Sequence, residues 1–192
     1  YAHLGGRSIA IIANQPAVRA GTIDIDASTK AARHIRTADA LGVPLVTFVD
    51  TPGYEPGRDL EWRGMIRHGA KLLHAFADAT VARVCVIVRK AYGGAYIVMD
   101  SRTMGSDLVL AWPGSEIAVM GAAGAVEILH RRELAGAEDP TERRRDLEDR
   151  YREQFLSPRI AAERGLVDRV IDPADTRRLV GAAIARLASK RP

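Results

Sequence analysis

The stretch VCVIVRKAYGGAY, residues 84–96, decides the fold. Its first part, residues 84–88, is a continuous apolar run, which predicts a strand buried on both faces. The run breaks at a pair of glycines, Gly93 and Gly94, and a helical stretch is predicted from about Ala95. A buried strand that leads through glycines into a helix is typical of an α/β protein. The sheet is then either covered on both sides or part of a tightly wound spiral of ββα units.

Apolar strand-like runs alternate with helix-like repeats on both sides of this stretch. Further strands are predicted over residues 8–13, 45–49, 107–111, 116–120 and 165–171. Helices are predicted from Asp26 or Ser28 to Gly42, and over 64–79, 124–134, 141–154, 158–164 and after an Asp172 cap. The expected buried positions are Ala31, Ile35, Ala38 and Leu41 in the first helix and Ile66, Ala70, Leu73 and Ala77 in the second. No internal repeat is visible, which favours one domain over residues 1–192.

Composition narrows the class of protein. The chain has 192 residues, of which 47% are hydrophobic and 27% are charged, as expected for one globular domain. Its net charge is +4, and no RNA-binding or zinc-finger pattern accompanies it, so we do not expect nucleic-acid binding. A single cysteine, Cys85, excludes a disulfide framework and a cysteine-based zinc site. No apolar run is long enough for a membrane helix. A cytoplasmic location is expected only together with the family resemblance described below.

The glycine pair after the buried strand is the most informative candidate site. Two glycines let backbone N–H groups approach a ligand closely, and a helix N-terminus adds positive potential. Paired N–H groups aimed at one point form an oxyanion hole. A tight turn without any ligand explains the same pattern. The segment 121–124 also precedes a predicted helix, so it is either a second ligand-binding turn or a tight turn without a ligand.

Other chemistries find no support in the sequence. Residues 50–53 resemble the magnesium-sensing element of GTPases, but the phosphate loop that this requires is absent. The five histidines form no metal-ligand cluster, and no nucleophile elbow is present. Cys85 lies inside an apolar strand and is predicted to be core. The absence of a nucleophile or metal cluster from the sequence, together with its glycine-rich turns, favours catalysis by backbone hydrogen bonds. The substrate or cofactor would then carry its own reactive group.

The chain resembles the C-terminal domain of the carboxyltransferase (β) subunit of biotin-dependent acyl-CoA carboxylases, most closely the propionyl-/acetyl-CoA type. The resemblance covers nearly the whole chain in several motifs that occur in the right order. They are residues 13–16, 45–50, 52–53, 67–73, 89–96, 111–113 and 116–121, together with a tail at 161–168 that is similar to the crotonase superfamily.

The resemblance implies a crotonase-like fold of stacked ββα turns. In this family the active site lies between the N-terminal domain of one subunit and the C-terminal domain of its dimer partner, within a hexamer. The chain begins at Tyr1 rather than at Met, so we expect that an N-terminal carboxyltransferase domain is missing. A biotin carboxylase or biotin carrier subunit is the further partner that the resemblance implies.

The resemblance also implies the chemistry. N1-carboxybiotin releases CO₂, biotin takes the α proton of a short-chain acyl-CoA, and the enolate attacks CO₂. Carried onto this sequence, the backbone N–H groups of Gly94 and Ala95 hold the biotin ureido oxygen. Substrate-binding residues are then expected at Gly93, Tyr96, Ile97, Gly121 and Ala122. The apolar Ile97, at a position that lines the acyl pocket, suits acetyl or propionyl chains.

Three alternatives stay open. A biotin-dependent decarboxylase or transcarboxylase subunit uses the same fold and the same two oxyanion holes. The isolated chain, without the N-terminal domain, is instead a non-catalytic module that docks a biotin carrier. A nucleotide or nucleic-acid binder rests only on residues 50–53 and the basic isoelectric point of 9.5.

Overall fold

A mostly parallel, seven-stranded sheet forms the centre of the computed structural model, which describes residues 1–190. The strands are β1 Ala2–Leu4, β2 Arg7–Ala13, β3 Leu45–Thr51, β4 Arg83–Tyr92, β5 Leu108–Ala111, β6 Glu116–Ala118 and β7 Arg169–Val170. Their order is β1-β2-β3-β4-β5-β7, with β6 paired to β4. β1 is antiparallel to β2, and the other pairs are parallel.

The long strand β4 links the core to the candidate site. Its first half pairs with β5, from Val84 opposite Leu108 onward. Its last residues pair with β6, where Tyr92 lies opposite Ala118. Alternate side chains of its apolar run point into two different core clusters, Cys85 and Ile87 into one and Val84 and Val86 into the other. The prediction of a strand buried on both faces is therefore confirmed.

Helices cover both faces of the sheet. They are α1 Ile25–Ala40, α2 Arg58–Trp62, α3 Met65–Asp78, α4 Gly93–Val98, α5 Ala122–Leu129, α6 Arg131–Ala135, α7 Pro140–Tyr151, α8 Pro158–Glu163 and α9 Thr176–Arg186. Ala32, Ile35 and Ala38 of α1 and Leu72, Ala75 and Phe76 of α3 belong to the larger core cluster, and the buried side chains of α9 belong to the second. Within residues 1–190 no helix is both long and apolar enough to span a membrane.

Two predicted details of α1 are wrong. The helix is capped by Asp24, whose carboxylate accepts a hydrogen bond from the Ala27 N–H at 2.7 Å, and not by Asp26 or Ser28. Asp24 reaches the N–H groups of the first turn because the helix begins at Ile25. Leu41 is 65% exposed, since it lies beyond the last helical residue, Ala40.

The predicted buried face of α3 is also wrong, by one residue. Ile66 is 85% exposed and Ala77 is exposed, whereas Ala70 and Leu73 are half-buried. The fully buried positions are Met65, Gly69, Leu72, Ala75 and Phe76. Two apolar stripes with the same helical spacing run along this helix, and the stripe with the larger side chains packs into the core.

Smaller differences concern the second half of the chain. The helix predicted over 124–134 divides into α5 and α6 at His130, and α7 ends at Tyr151 in a π turn, Arg152–Leu156. The strand predicted over 165–171 is only Arg169–Val170. The Asp172 cap is confirmed, since its carboxylate accepts from the Ala174 N–H at 2.8 Å, but it caps a 3₁₀ turn that precedes α9.

Candidate functional site

The turn from β4 into α4 requires a glycine at its first position. Gly93 has φ +57°, a backbone conformation that residues with a side chain rarely adopt. A Cβ at Gly93 would lie 3.0 Å from the carbonyl oxygen of Val119. The helix therefore begins directly at Gly93, earlier than the predicted start near Ala95, and lies close to the segment after β6.

The next two backbone N–H groups have no hydrogen-bond partner in the described part of the chain. Gly94 and Ala95 lie in the first turn of α4, where N–H groups have no partner within the helix. Among residues 1–190 neither N–H finds an acceptor, and no side chain caps the helix. Gly94 is exposed, and the nearest atom to a Cβ built on it is Cε2 of Tyr54 at 3.9 Å. Space is thus open beside Gly94, whereas Ala95 is 0% exposed in the chain alone.

The second glycine turn lies against the first. Gly121 precedes α5, and a Cβ there would lie 3.2 Å from Cε2 of the Tyr92 ring. The pairing of β4 with β6 brings the two strand ends together and explains this contact. The structure therefore joins the two segments that the sequence singled out, although they are separated along the chain.

A hydrogen bond fixes the Tyr92 ring between the turns. Its hydroxyl donates to the carboxylate of Glu116 in β6, and the Nε of Arg152 lies 3.8 Å from the same carboxylate. Burial, and then the neighbouring Glu116, raise the pKa of Tyr92, so its hydroxyl stays protonated and keeps donating. Sequence reasoning missed this pair because no local pattern connects a tyrosine with a glutamate on another strand.

Tyr54 forms a wall beside Gly94, and sequence reasoning missed it as well. A Cβ built on Gly69 would lie 3.0 Å from the Tyr54 hydroxyl oxygen. The ring packs this closely against α3 because residue 69 has no side chain. Burial raises the pKa of Tyr54 to about 12. The wall is therefore uncharged at neutral pH.

The other predicted substrate-binding residues differ in how much of their surface is exposed to a ligand. Ile97 is 45% exposed, so its side chain reaches the surface one turn after the free N–H groups. Tyr96 and Ala122 are 7% and 3% exposed, so they present almost no surface to a ligand in the chain alone. Within the described residues the Tyr96 hydroxyl has no partner, and burial raises its pKa. The roles of these residues stay predictions.

The residues set aside in the sequence have structural roles here. Asp50 accepts from the Arg89 Nε at 3.0 Å and from the Lys90 N–H at 3.3 Å, so local contacts occupy its carboxylate. Cys85 is completely buried, which raises its pKa, and it is core as predicted. No group of three or more metal-ligating side chains occurs among residues 1–190.

Comparison with known proteins identifies relatives along the whole chain. Residues 1–192 match the family described as "Carboxyl transferase domain". The chain is 55% identical to the propionyl-CoA carboxylase carboxyltransferase subunit of Haloferax mediterranei, across 100% of this chain and 37% of that protein. It is 51% identical to the methylmalonyl-CoA decarboxylase subunit alpha of Propionigenium modestum, across 100% of this chain and 37% of that protein. The chain thus spans little more than a third of the length of these relatives.

A solved structure agrees with the sequence comparison. The crystal structure of the transcarboxylase 12S hexamer, with methylmalonyl-coenzyme A bound, superposes with a TM-score of 0.92 at 49% identity. The match covers 98% of this chain and 36% of that one. The crotonase-like α/β fold is thereby confirmed. Judged by its fold and by the match over its whole length, the chain belongs to the carboxyl transferase domain family.

Proposed function

We propose that this chain supplies the biotin-binding half of a carboxyltransferase, which moves a carboxyl group from N1-carboxybiotin to the α carbon of propionyl-CoA or acetyl-CoA. The observation that carries the proposal is the pair of unbonded N–H groups at Gly94 and Ala95, of which Gly94 borders open space at the end of a buried strand. The named activities of the relatives, which all concern transfer or removal of a carboxyl group on acyl-CoA, support it.

The residues at this site fit the ureido group of biotin. An amide-like oxygen needs donors and space for a flat ring, and both are present beside Gly94. The apolar face of Tyr54 and the exposed Ile97 offer contacts for carbon atoms of the ligands. Biotin, when bound, brings the carboxyl group and the basic nitrogen, so the protein need not provide a catalytic side chain.

The contribution of the protein is electrostatic. With biotin bound, the N–H groups of Gly94 and Ala95 would donate to its ureido oxygen and stabilise negative charge there. Hydrogen bonds to a charged acceptor are stronger than those to a neutral one, so these donors favour the transition state over the bound ground state. They are fixed by the backbone and need no rearrangement during the reaction. Removal of one such donor lowers turnover by about 10²- to 10³-fold in other enzymes.

The proposal extends to partners. An N-terminal carboxyltransferase domain would provide the second oxyanion hole and most contacts to CoA. Residues 1–192 joined to that N-terminal domain are called the complete subunit. A biotin carboxylase or biotin carrier subunit would deliver the biotin, and a hexamer in the cytoplasm is the assembly that we propose.

The test is a half-reaction. The complete subunit is mixed with methylmalonyl-CoA or malonyl-CoA and free biotin, and loss of the carboxyl group from the CoA ester is measured. We expect biotin-dependent transfer by the complete subunit and none by residues 1–192 alone. Failure of the complete subunit would reject the carboxyltransferase function, and transfer by the chain alone would reject the divided site.

A decarboxylase or transcarboxylase is the second candidate, favoured by the names of two of the relatives. The half-reaction does not separate the candidates, because all of them share it. Net carboxylation of propionyl-CoA with ATP, bicarbonate and a biotin carboxylase separates them. Net carboxylation that depends on the biotin carboxylase supports the carboxylase, and its absence in a subunit that is active in the half-reaction supports the second candidate.

A further inference from the structure

A buried ion pair lies at the end of α4 opposite the candidate site. Arg83 and Asp100 are 4% and 0% exposed, and the Arg83 Nη1 lies 3.1 Å from the Asp100 Oδ1. Charges buried this deeply are costly unless they are paired and hydrogen-bonded. Nothing in the proposed reaction uses either side chain.

The Arg83 guanidinium holds several segments together. It donates to the carbonyl oxygens of Phe76 at 2.7 Å, Met104 at 2.9 Å and Gly105 at 2.7 Å, in addition to Asp100. Phe76 lies near the end of α3, and the other two residues lie in the turn after α4. Arg83 is also the first residue of β4, the strand that leads into α4. One side chain thus connects the start of this strand with the segment beyond the helix.

Asp100 fixes the exit from α4. It lies two residues after Val98, the last residue of the helix, and has φ +59°. This left-handed conformation is unfavourable for a residue with a side chain and persists only where the surroundings impose it. The Ser106 hydroxyl also donates to the Asp100 carboxylate, at 3.4 Å. The carboxylate therefore holds the backbone in a conformation that it would not otherwise prefer.

A helix as short as α4 depends on what holds its ends. It has six residues, too few for a helix to be stable by itself. Weaker contacts also hold its C-terminal end, from the Cys85 Sγ to the Met99 carbonyl at 3.6 Å and from the Ser101 hydroxyl to the Ile97 carbonyl at 2.9 Å. The contact of Asp100 with Arg83 differs from these two because it joins oppositely charged groups. A tilt of this end changes the direction of the N–H groups in the first turn.

We propose that Arg83 and Asp100 are positioning residues for the candidate biotin site, which aim the N–H groups of Gly94 and Ala95 by fixing the far end of α4. This rests on the proposed function. Neither residue touches a ligand; both act through the helix. Misplacement of reacting groups by about 1 Å can lower turnover by about 10²-fold, so the effect on catalysis is large even where the fold is intact.

The charge of Asp100 gives the proposal a pH signature. Burial raises its pKa to about 7, against the opposing effects of Arg83, Ser106 and Lys190, while Asp107 raises it further. The Cys85 thiol also faces this carboxylate and stays protonated. Ionised Asp100 pairs with Arg83, so we expect kcat of the complete subunit to rise with pH through about 7.

The test compares Asp100→Asn with the wild-type complete subunit in the half-reaction. We expect kcat to fall by about 10- to 100-fold with little change in KM for the CoA ester, and the rise near pH 7 to disappear. Arg83→Lys, which keeps the charge but not the fork of donors, should give an intermediate kcat. Asp175→Asn, in the exposed pair of Asp175 with Arg178, is the control and should leave kcat unchanged.

A second measurement separates this proposal from the proposed function. The amide resonances of Gly94 and Ala95 are recorded in residues 1–192 for the wild type and for Asp100→Asn. Shifted resonances in a folded chain support the positioning role even if no carboxyl transfer is found. Unshifted resonances, or a wild-type kcat and pH profile in Asp100→Asn, would overturn it. If Asp100→Asn fails to fold, Ser106→Ala, which removes the hydroxyl contacts to Asp100 and to the carbonyls of Arg83 and Leu108, must shift the same resonances.

Discussion

The ring of Tyr92 packs against the backbone of Gly121, at a distance that leaves little room for a side chain on residue 121. A Cβ at that position would lie 3.2 Å from Cε2, 3.4 Å from Cζ and 3.4 Å from the hydroxyl oxygen of Tyr92. Tyr92 directly precedes the glycine pair of the candidate site. This contact connects the two glycine turns and makes one site of them.

Substitution of Gly121 by alanine tests that connection. The added methyl group must displace the Tyr92 ring by a few tenths of an ångström, and the adjacent turn moves with it. We expect Gly121→Ala to lower transfer by the complete subunit by about 10-fold while the thermal midpoint changes little. Gly124→Ala is the control, because its Cβ would meet only the Met120 Sδ at an ordinary 3.7 Å. Equal activities of the two variants would contradict the connection.

We expect a side chain at residue 93 to destabilise the fold in two ways, through the left-handed backbone and through the close contact with Val119. Its φ of +57° is shared by Gly5, but a Cβ at Gly5 would have nothing within 4 Å, whereas one at Gly93 would meet the Val119 carbonyl at 3.0 Å. Urea unfolding of residues 1–192 should show that Gly5→Ala costs about 1 kcal/mol. Gly93→Ala should cost at least about 1 kcal/mol more. Equal losses would show that the close approach to Val119 contributes nothing.

Ile97 is predicted to select the acyl chain. It is the residue near the free N–H groups whose apolar side chain is exposed, so an aspartate there can be solvated without disturbing the core. We expect Ile97→Asp to change the ratio of kcat/KM for propionyl-CoA over acetyl-CoA by about 10-fold, with an unchanged thermal midpoint. Ile66→Asp, on the exposed side of α3, is the matched control. An unchanged ratio would remove Ile97 from the acyl pocket.

Asp100 makes stability depend on pH. Burial raises its pKa from 3.8 to about 7, so the folded state binds a proton more tightly than the unfolded state does. The contribution of Asp100 to stability is therefore complete below about pH 4 and is lost as the pH rises to about 7. We expect the difference in free energy of unfolding between wild type and Asp100→Asn to decrease from pH 5 to pH 8, as measured in urea. A difference that grows over this range would contradict the burial effect.

The parts of the fold that the sequence predicts correctly are those with a local signal. The apolar run before Arg89 and the glycine pair after it predict β4 and α4, and the Asp172 cap lies where the sequence indicates. The buried face of α3 fails because its two apolar stripes have the same spacing. Only contact with the sheet, which is not a local property, chooses between Leu72 and Leu73.

The candidate site, like the fold, has residues that the sequence predicts and residues that it does not. The donors at Gly94 and Ala95 are predicted by the strand, the glycines and the resemblance to a family. The Tyr92–Glu116 hydrogen bond, the Tyr54 wall and the Arg83–Asp100 pair are not, because each joins residues that only the folded sheet brings together. A basic residue before an apolar run and an acidic residue after a helix are ordinary surface patterns, so nothing local marked the pair as buried.

The central claim is that the backbone at Gly94 binds the biotin oxygen. Gly94→Val tests it most directly, since the nearest atom to its Cβ would be 3.9 Å away and its φ is not in the left-handed region, so the variant should fold normally. The measurement is biotin-dependent loss of the carboxyl group from methylmalonyl-CoA by the complete subunit. The valine side chain would fill the space through which biotin approaches the N–H groups of Gly94 and Ala95, so we expect turnover to fall by at least about 10²-fold, with unchanged CoA-ester binding and thermal midpoint. Turnover at the wild-type rate in this variant would contradict the claim.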